Sequence, residues 1–171
     1  MSLLRKISAL AAGGIALFAL STAAQAISIT PSTPGVVFAY VDPPSNCAPA
    51  CVYTAFGLAN DGSLQLLYKA EVGSANNPAT VEEGSFAGSY GTEFFNSAFD
   101  PEDATVTYTG GSAITCGVCY LVIKDGRTNP NYYFFDLTAA GWNGTDSIVL
   151  TDFWEERGAI SHIAIWGSSN D

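Results

Sequence analysis

The residues able to do chemistry are few, and their spacing limits what that chemistry can be. His162 is the only histidine, and it directly follows Ser161. A hydrolytic triad needs a nucleophile, a base and an orienting acid converging in space. Neighbours on a strand point to opposite faces, so Ser161-His162 reads as a strand pair, with His162 half-exposed. No G-x-S-x-G elbow occurs; Gly84-Ser-Phe-Ala-Gly88 places its serine one position early. Glycoside hydrolysis uses two carboxyl groups flanking one bond, and Glu82-Glu83 and Glu155-Glu156 supply candidates. Adjacent glutamates read first as a solvated edge or loop. Asp100, Glu102 and Asp103 place three carboxylates within four residues. That is an oxygen-rich set of the kind calcium takes, although the spacing is not that of an EF-hand loop, and a turn or helix-cap cluster is the competing reading.

Aromatic residues beside amides form a second kind of candidate. Tyr132-Tyr-Phe-Phe135 must place one Tyr/Phe pair on each face of a sheet. Trp142-Asn143-Gly144 and Phe153-Trp154 fall in or near turns. An aromatic face beside oriented hydrogen-bonding groups suits a sugar ring, so the candidate ligand set is Tyr132, Tyr133, Trp142, Asn143 and Trp154. Core and sheet-edge packing is the competing reading. Asn143-Gly-Thr145 also matches an N-glycosylation sequon, which matters only in a host with that machinery.

The amino terminus sets the compartment. Arg5 and Lys6 precede a fourteen-residue apolar run, Ile7 to Leu20, and a small, polar exit ending Ala24-Gln-Ala26. These are the three parts of a secretory signal, with cleavage expected between Ala26 and Ile27. The run is shorter than the ~20 residues of a spanning helix. The remaining 145 residues hold four basic side chains against sixteen acidic ones, a net charge of −12. Such a body disfavours nucleic acid and anionic lipid, whose binding needs Lys and Arg to neutralise phosphates. No second apolar stretch is long enough for a membrane anchor, and the length suits one domain, 27–171. Export also moves the four cysteines, Cys47-x3-Cys51 and Cys116-x2-Cys119, from a zinc site towards disulfides. Three connectivities are open. Local closure, Cys47–Cys51 and Cys116–Cys119, is the preferred one because each pair is near in sequence.

The elements that must position these groups are strands. Short runs rich in β-branched and aromatic residues recur at 36–41, 52–58, 64–72, 105–108, 119–123, 132–137, 148–150 and 160–166, each closed by Gly, Pro, Asn or Asp. Alternation and turn signals at this spacing predict an all-β fold, an antiparallel, jelly-roll-like β-sandwich. Asp61-Gly62 and Asp125-Gly126 predict tight hairpin turns. A short helix is expected only around Thr92 to Phe99, and loops over 74–80 and 127–131.

Several stretches in order carry a resemblance: Leu67-Tyr-Lys-Ala-Glu71, Glu83-Gly-Ser-Phe-Ala-Gly-Ser-Tyr90, Cys119-Tyr-Leu-Val-Ile-Lys-Asp-Gly126, Tyr133-Phe-Phe-Asp136, Trp142-Asn-Gly-Thr145, Phe153-Trp154 and Gly158-Ala-Ile-Ser-His-Ile163. Together they resemble a group of exported bacterial proteins of uncharacterised function that usually end in a PEP-CTERM sorting tail read by an exosortase. The resemblance implies a Gram-negative host and a surface or matrix setting linked to exopolysaccharide and biofilm. It implies no catalytic residues. Such proteins continue into Val-Pro-Glu-Pro, an apolar helix and a basic end; this sequence stops at Asp171 without them, so the expectation is either a tailless, freely released relative or a tail missing from this sequence.

The expectation is a secreted, non-catalytic matrix or cell-surface protein in contact with extracellular polysaccharide, extracellular in location with the periplasm as alternative. A carboxylate-dependent hydrolase acting on polysaccharide and a calcium-stabilised structural domain are the competing classes.

Overall fold

The computed structural model describes residues 25–39, 46, 48–76, 79–126, 128–154 and 158–169. Strands β1 (Ala26–Ile29), β2 (Val37–Ala39), helix α1 (Ala50–Ala55) and strands β3 (Gln65–Glu71) and β4 (Val81–Glu83) form the first part of the chain. Strands β5 (Tyr90–Phe95), β6 (Asp103–Tyr108), β7 (Cys116–Lys124), β8 (Tyr132–Asp136), β9 (Ser147–Leu150) and β10 (His162–Ser169) complete it. They assemble into a four-stranded sheet, β1-β9-β6-β5, and a six-stranded sheet, β2-β8-β7-β10-β3-β4. Every pairing is antiparallel except β1 with β9. The fold is an all-β sandwich, as the alternation predicts.

Two apolar layers hold it together. Between the sheets, Ile29, Ile148, Leu150, Ala104, Val106 and Tyr90 face Leu121, Ile123, Tyr133, Phe135, Ile163 and Ile165. On the far face of the six-stranded sheet, Tyr120, Val122, Tyr132, Phe134 and Ala164 pack beneath Val52, Tyr53 and Leu64. The run from Cys119 to Ile123 is therefore apolar on both alternating sets, because β7 is covered on both faces. β8 follows the same logic, with Tyr132 and Phe134 stacked on the outer face at 5.6 Å. At one margin of the sandwich a polar tie links the sheets. The Tyr68 hydroxyl of β3 donates to Glu82 of β4 (2.9 Å) and shares a 2.8 Å hydrogen bond with Thr92 of β5, whose own N–H also reaches Glu82 (3.0 Å). Burial pushes the Tyr68 phenol well above its ordinary range.

Several local expectations are corrected. Residues 52–58, expected as a strand, hold most of α1 and its end. Val52 and Phe56 are one helical turn apart, so both reach the sheet, where Phe56 packs on Tyr120 at 4.7 Å. The turn ends at Gly57, whose φ of +63° suits a residue without Cβ. The helix expected at Thr92 to Phe99 is instead β5, with Tyr90 and Thr92 buried and Gly91 and Glu93 on the other face. Asp61-Gly62 therefore joins a helix to a strand; Asp61 Oδ1 accepts from Ser63 N–H (2.9 Å) and the Tyr53 hydroxyl (3.1 Å). β7 and β8 do form an antiparallel pair, but through the loop 125–131 in place of a tight turn, closed by Asp125 N–H on the Asn131 carbonyl (3.0 Å).

Of the expected leader, 1–24 lie outside the described residues, and Ala26 opens β1. Among the described residues, no helix is long and apolar enough to cross a membrane.

Candidate functional site

Two loops meet at one end of the sandwich and enclose a cleft of about 210 Å³. One loop runs from Ile114 through Thr115 into β7; the other carries Thr138, Trp142 and Asn143 between β8 and β9. Cys116 and Cys119 form a disulfide that lines the cleft. The bond links the first and fourth residues of β7, so the cleft wall there is covalently fixed.

Each lining group is held by a specific contact. The Trp142 indole N–H donates to the Asp146 carbonyl (2.8 Å), and the ring packs against Tyr90 with centroids 6.3 Å apart. Asn143 Oδ1 accepts from Thr145 N–H (2.9 Å), the Thr145 hydroxyl (3.1 Å) and Asp146 N–H (2.9 Å). This is an Asx turn, the local structure that Asn followed by Gly favours. The Thr138 hydroxyl oxygen accepts from Cys119 N–H (2.7 Å) and keeps its own proton to donate. Beneath the cleft the Tyr90 hydroxyl donates to the Gly144 carbonyl (2.6 Å) and accepts from Ile114 N–H (2.8 Å), so one buried phenol fixes both loops. Desolvation raises its pKa above the usual tyrosine value. Gly144, at φ +83°, lets the loops approach closely: a Cβ there would lie 2.1 Å from the Ile114 carbonyl oxygen.

The candidate ligand set divides. Trp142 and Asn143 share the cleft. Tyr132, Tyr133 and Trp154 do not join them, being only 1%, 9% and 7% exposed. Tyr133 and Trp154 belong to the inter-sheet core, their rings 5.1 Å apart, and the Trp154 indole N–H donates to the Pro130 carbonyl (2.7 Å). Tyr132 lies in the outer layer, with the Lys124 ammonium 5.8 Å from its ring centre. For these three, packing is what the structure displays. Ile114, Thr115 and Thr138 join the lining without any signal in their residue types; Tyr90 holds Ile114 and Gly144 from below, and Thr138 is held by Cys119 N–H.

The acidic candidates are placed elsewhere. Asp103 Oδ1 accepts from Asp152 N–H (2.9 Å) and its Oδ2 from the Asn96 amide (2.6 Å). The carbonyls of Pro101 and Glu102 accept from Ile160 and Phe153 N–H groups. Asp100 is exposed and takes part through its N–H, which donates to the Ser97 hydroxyl (3.1 Å). Asp100, Glu102 and Asp103 thus belong to a segment that ties loops together, and among the described residues no group of three or more His, Cys, Asp or Glu is placed to hold a metal ion. Glu82 and Glu83 lie on the edge strand β4; Glu82 serves the Tyr68 tie, and Glu83 pairs with Lys69 (2.7 Å). Glu155 and Glu156 lie outside the described residues. Cys51 is disulfide-bonded, and its expected partner Cys47 also lies outside them.

His162 is buried, not half-exposed. On the outer face it stands directly between Glu71 of β3 and Lys124 of β7. Burial, followed by the nearby charges of Lys69 and Lys124, pushes its imidazole down to about 3. It is a neutral ring at any ordinary pH. Lys69 ion-pairs with both Glu71 and Glu83. Ser161, on the opposite side, donates to the Lys124 carbonyl (3.0 Å).

In comparisons with known proteins, no family model matches the chain, and neither does any curated protein or solved structure.

Proposed function

We propose that this protein is an exported, non-catalytic component of an extracellular or cell-surface matrix that contacts polysaccharide through the Trp142 cleft. The observation that carries this reading is the union of Trp142, Asn143, Thr115 and Thr138 in one rigidly held depression. An aromatic surface beside hydroxyl and amide groups is the combination a sugar ring uses, with its apolar face on the ring and its hydroxyls towards the polar partners. Among the described residues the lining contains no carboxyl group, so what they offer is recognition chemistry and not the carboxyl pair that glycoside cleavage needs. The resemblance to exported proteins linked to exopolysaccharide and the signal-like amino terminus supply the setting.

The test is retention of the protein on insoluble or immobilised polysaccharides and on a glycan array. Binding is expected, with Trp142→Phe weakened by roughly three- to tenfold, the value of one aromatic contact. Circular dichroism would verify that the variant is folded. Absence of retention on every polysaccharide, or equal retention by a folded Trp142→Ala variant, would remove this reading.

A further inference from the structure

We infer that the cleft is selective for a single uncharged sugar ring, presented at a chain end or branch, and discriminates against uronic acids. The inference rests on the glycan-contact reading above and assigns its ligand class.

Three features of the cleft lead there. The first is its lining. Ile114, Thr115, the Cys116–Cys119 disulfide, Thr138, Trp142 and Asn143 include no charged side chain. The polar groups left over after the internal hydrogen bonds are the Thr115 hydroxyl, the Thr138 hydroxyl proton and the Asn143 amide N–H groups. Hydroxyls both donate and accept, as sugar hydroxyls do. A carboxylate would need a cation or a concentrated set of donors, as arginine supplies, and among the described residues none lines the site.

The second feature is the field around it. Asp136, the last residue of β8, and Asp146, just before β9, bracket the loop that carries Thr138, Trp142 and Asn143: Asp136 accepts from Ala139 N–H at the start of the Thr138 turn, and the Asp146 backbone anchors Trp142. The chain as a whole carries a charge of −10. Both terms repel an approaching anion, and neither affects a neutral ring.

The third is size. At about 210 Å³ the cleft is smaller than the ~300–1,000 Å³ of sites for drug-sized ligands. It accommodates one ring and leaves the rest of a chain in solvent. The floor cannot deepen, because Gly144 already lies against the Ile114 carbonyl and Tyr90 holds both loops from below.

The experiment uses the mature chain and heteronuclear NMR titration with defined probes. Neutral tetrasaccharides of glucose, mannose, galactose and N-acetylglucosamine are compared with tetragalacturonate, at low and high salt. The expected result is saturable shifts of the Trp142 indole and of the Thr115 and Thr138 amides with at least one neutral probe, independent of salt. The uronate should bind about tenfold more weakly at low salt, recovering partly at high salt as the repulsion is screened. Thr115→Lys, at an exposed position, should narrow that gap to within about threefold by supplying the missing cation. Uronate binding equal to or tighter than neutral binding at low salt would overturn the selectivity and leave the glycan reading standing. Failure of all probes to shift the cleft would remove the glycan reading, and the selectivity with it.

Discussion

Tyr90 is the residue on which the cleft depends most. Its hydroxyl satisfies a buried N–H and a carbonyl from two separate loops. Tyr90→Phe keeps the ring and strands both groups, at a cost of about 1–3 kcal/mol; a lowered urea midpoint with unchanged m-value is expected. Gly144→Ala should do more damage, because the added Cβ meets a backbone oxygen that cannot move alone. His162 makes a pH prediction. Its imidazole falls from 6.5 unfolded to about 3 folded, mainly by burial and then by Lys69 and Lys124, with Glu83 opposing; Glu71 and Tyr132 complete the groups on that face. Below pH 6.5 the unfolded chain takes up a proton that the native state refuses. The associated stability is complete above 6.5 and is lost progressively as pH falls towards 3, by a few kcal/mol at most. His162→Gln should flatten that part of the profile, measured as the difference between variant and wild-type urea midpoints from pH 7 to 4.

At the scale of elements, the disulfide and the short helix illustrate opposite relations between pattern and outcome. Cys116 and Cys119 are near in sequence, which favoured local closure among the three open connectivities, and they do close locally. A loop that short restricts the unfolded chain little, so Cys116→Ser with Cys119→Ser should lower stability by about 2 kcal/mol or less. The same double variant should leave the melt cooperative by differential scanning calorimetry. α1 was not anticipated because Val, Tyr, Thr and Phe favour strands. The signal present was the Val52/Phe56 spacing of four, which only gains meaning once an uncovered sheet face is there to receive it. β5 shows the converse. Thr92 to Phe95 lacks a strong strand signature, yet pairing with β6 along its whole length makes it one.

For the whole molecule, charge is the dominant global property. A chain at −10, with two ion pairs centred on Lys69 among its described residues, repels itself in the compact state. Added sodium chloride should therefore raise the melting temperature modestly by screening, a trend read in a thermal melt at neutral pH. The architecture also explains why so many aromatic residues serve packing. The six-stranded sheet is covered by the other sheet on one face and, over part of the other, by α1 and its flanking segment. Both alternating sets of β8 are consequently buried, and Tyr132 and Tyr133 are taken up in packing.

The all-β class and most strand positions were determined by the sequence itself, because period-two alternation and turn residues are local properties; the Cys116–Cys119 closure was one of three connectivities the sequence left open, and the structure selects it. Whether an aromatic residue faces solvent, core or cleft was decided by tertiary structure. Alternation assigns two faces to a strand but does not state what covers each. The cleft is the clearest case: Trp142 and Asn143 were visible as candidates, whereas Thr115, Thr138 and the underlying Tyr90 were not. Tyr90 reaches Ile114 and Gly144 across 24 and 54 positions of chain, and only the packing of two sheets brings such separations to hydrogen-bonding distance.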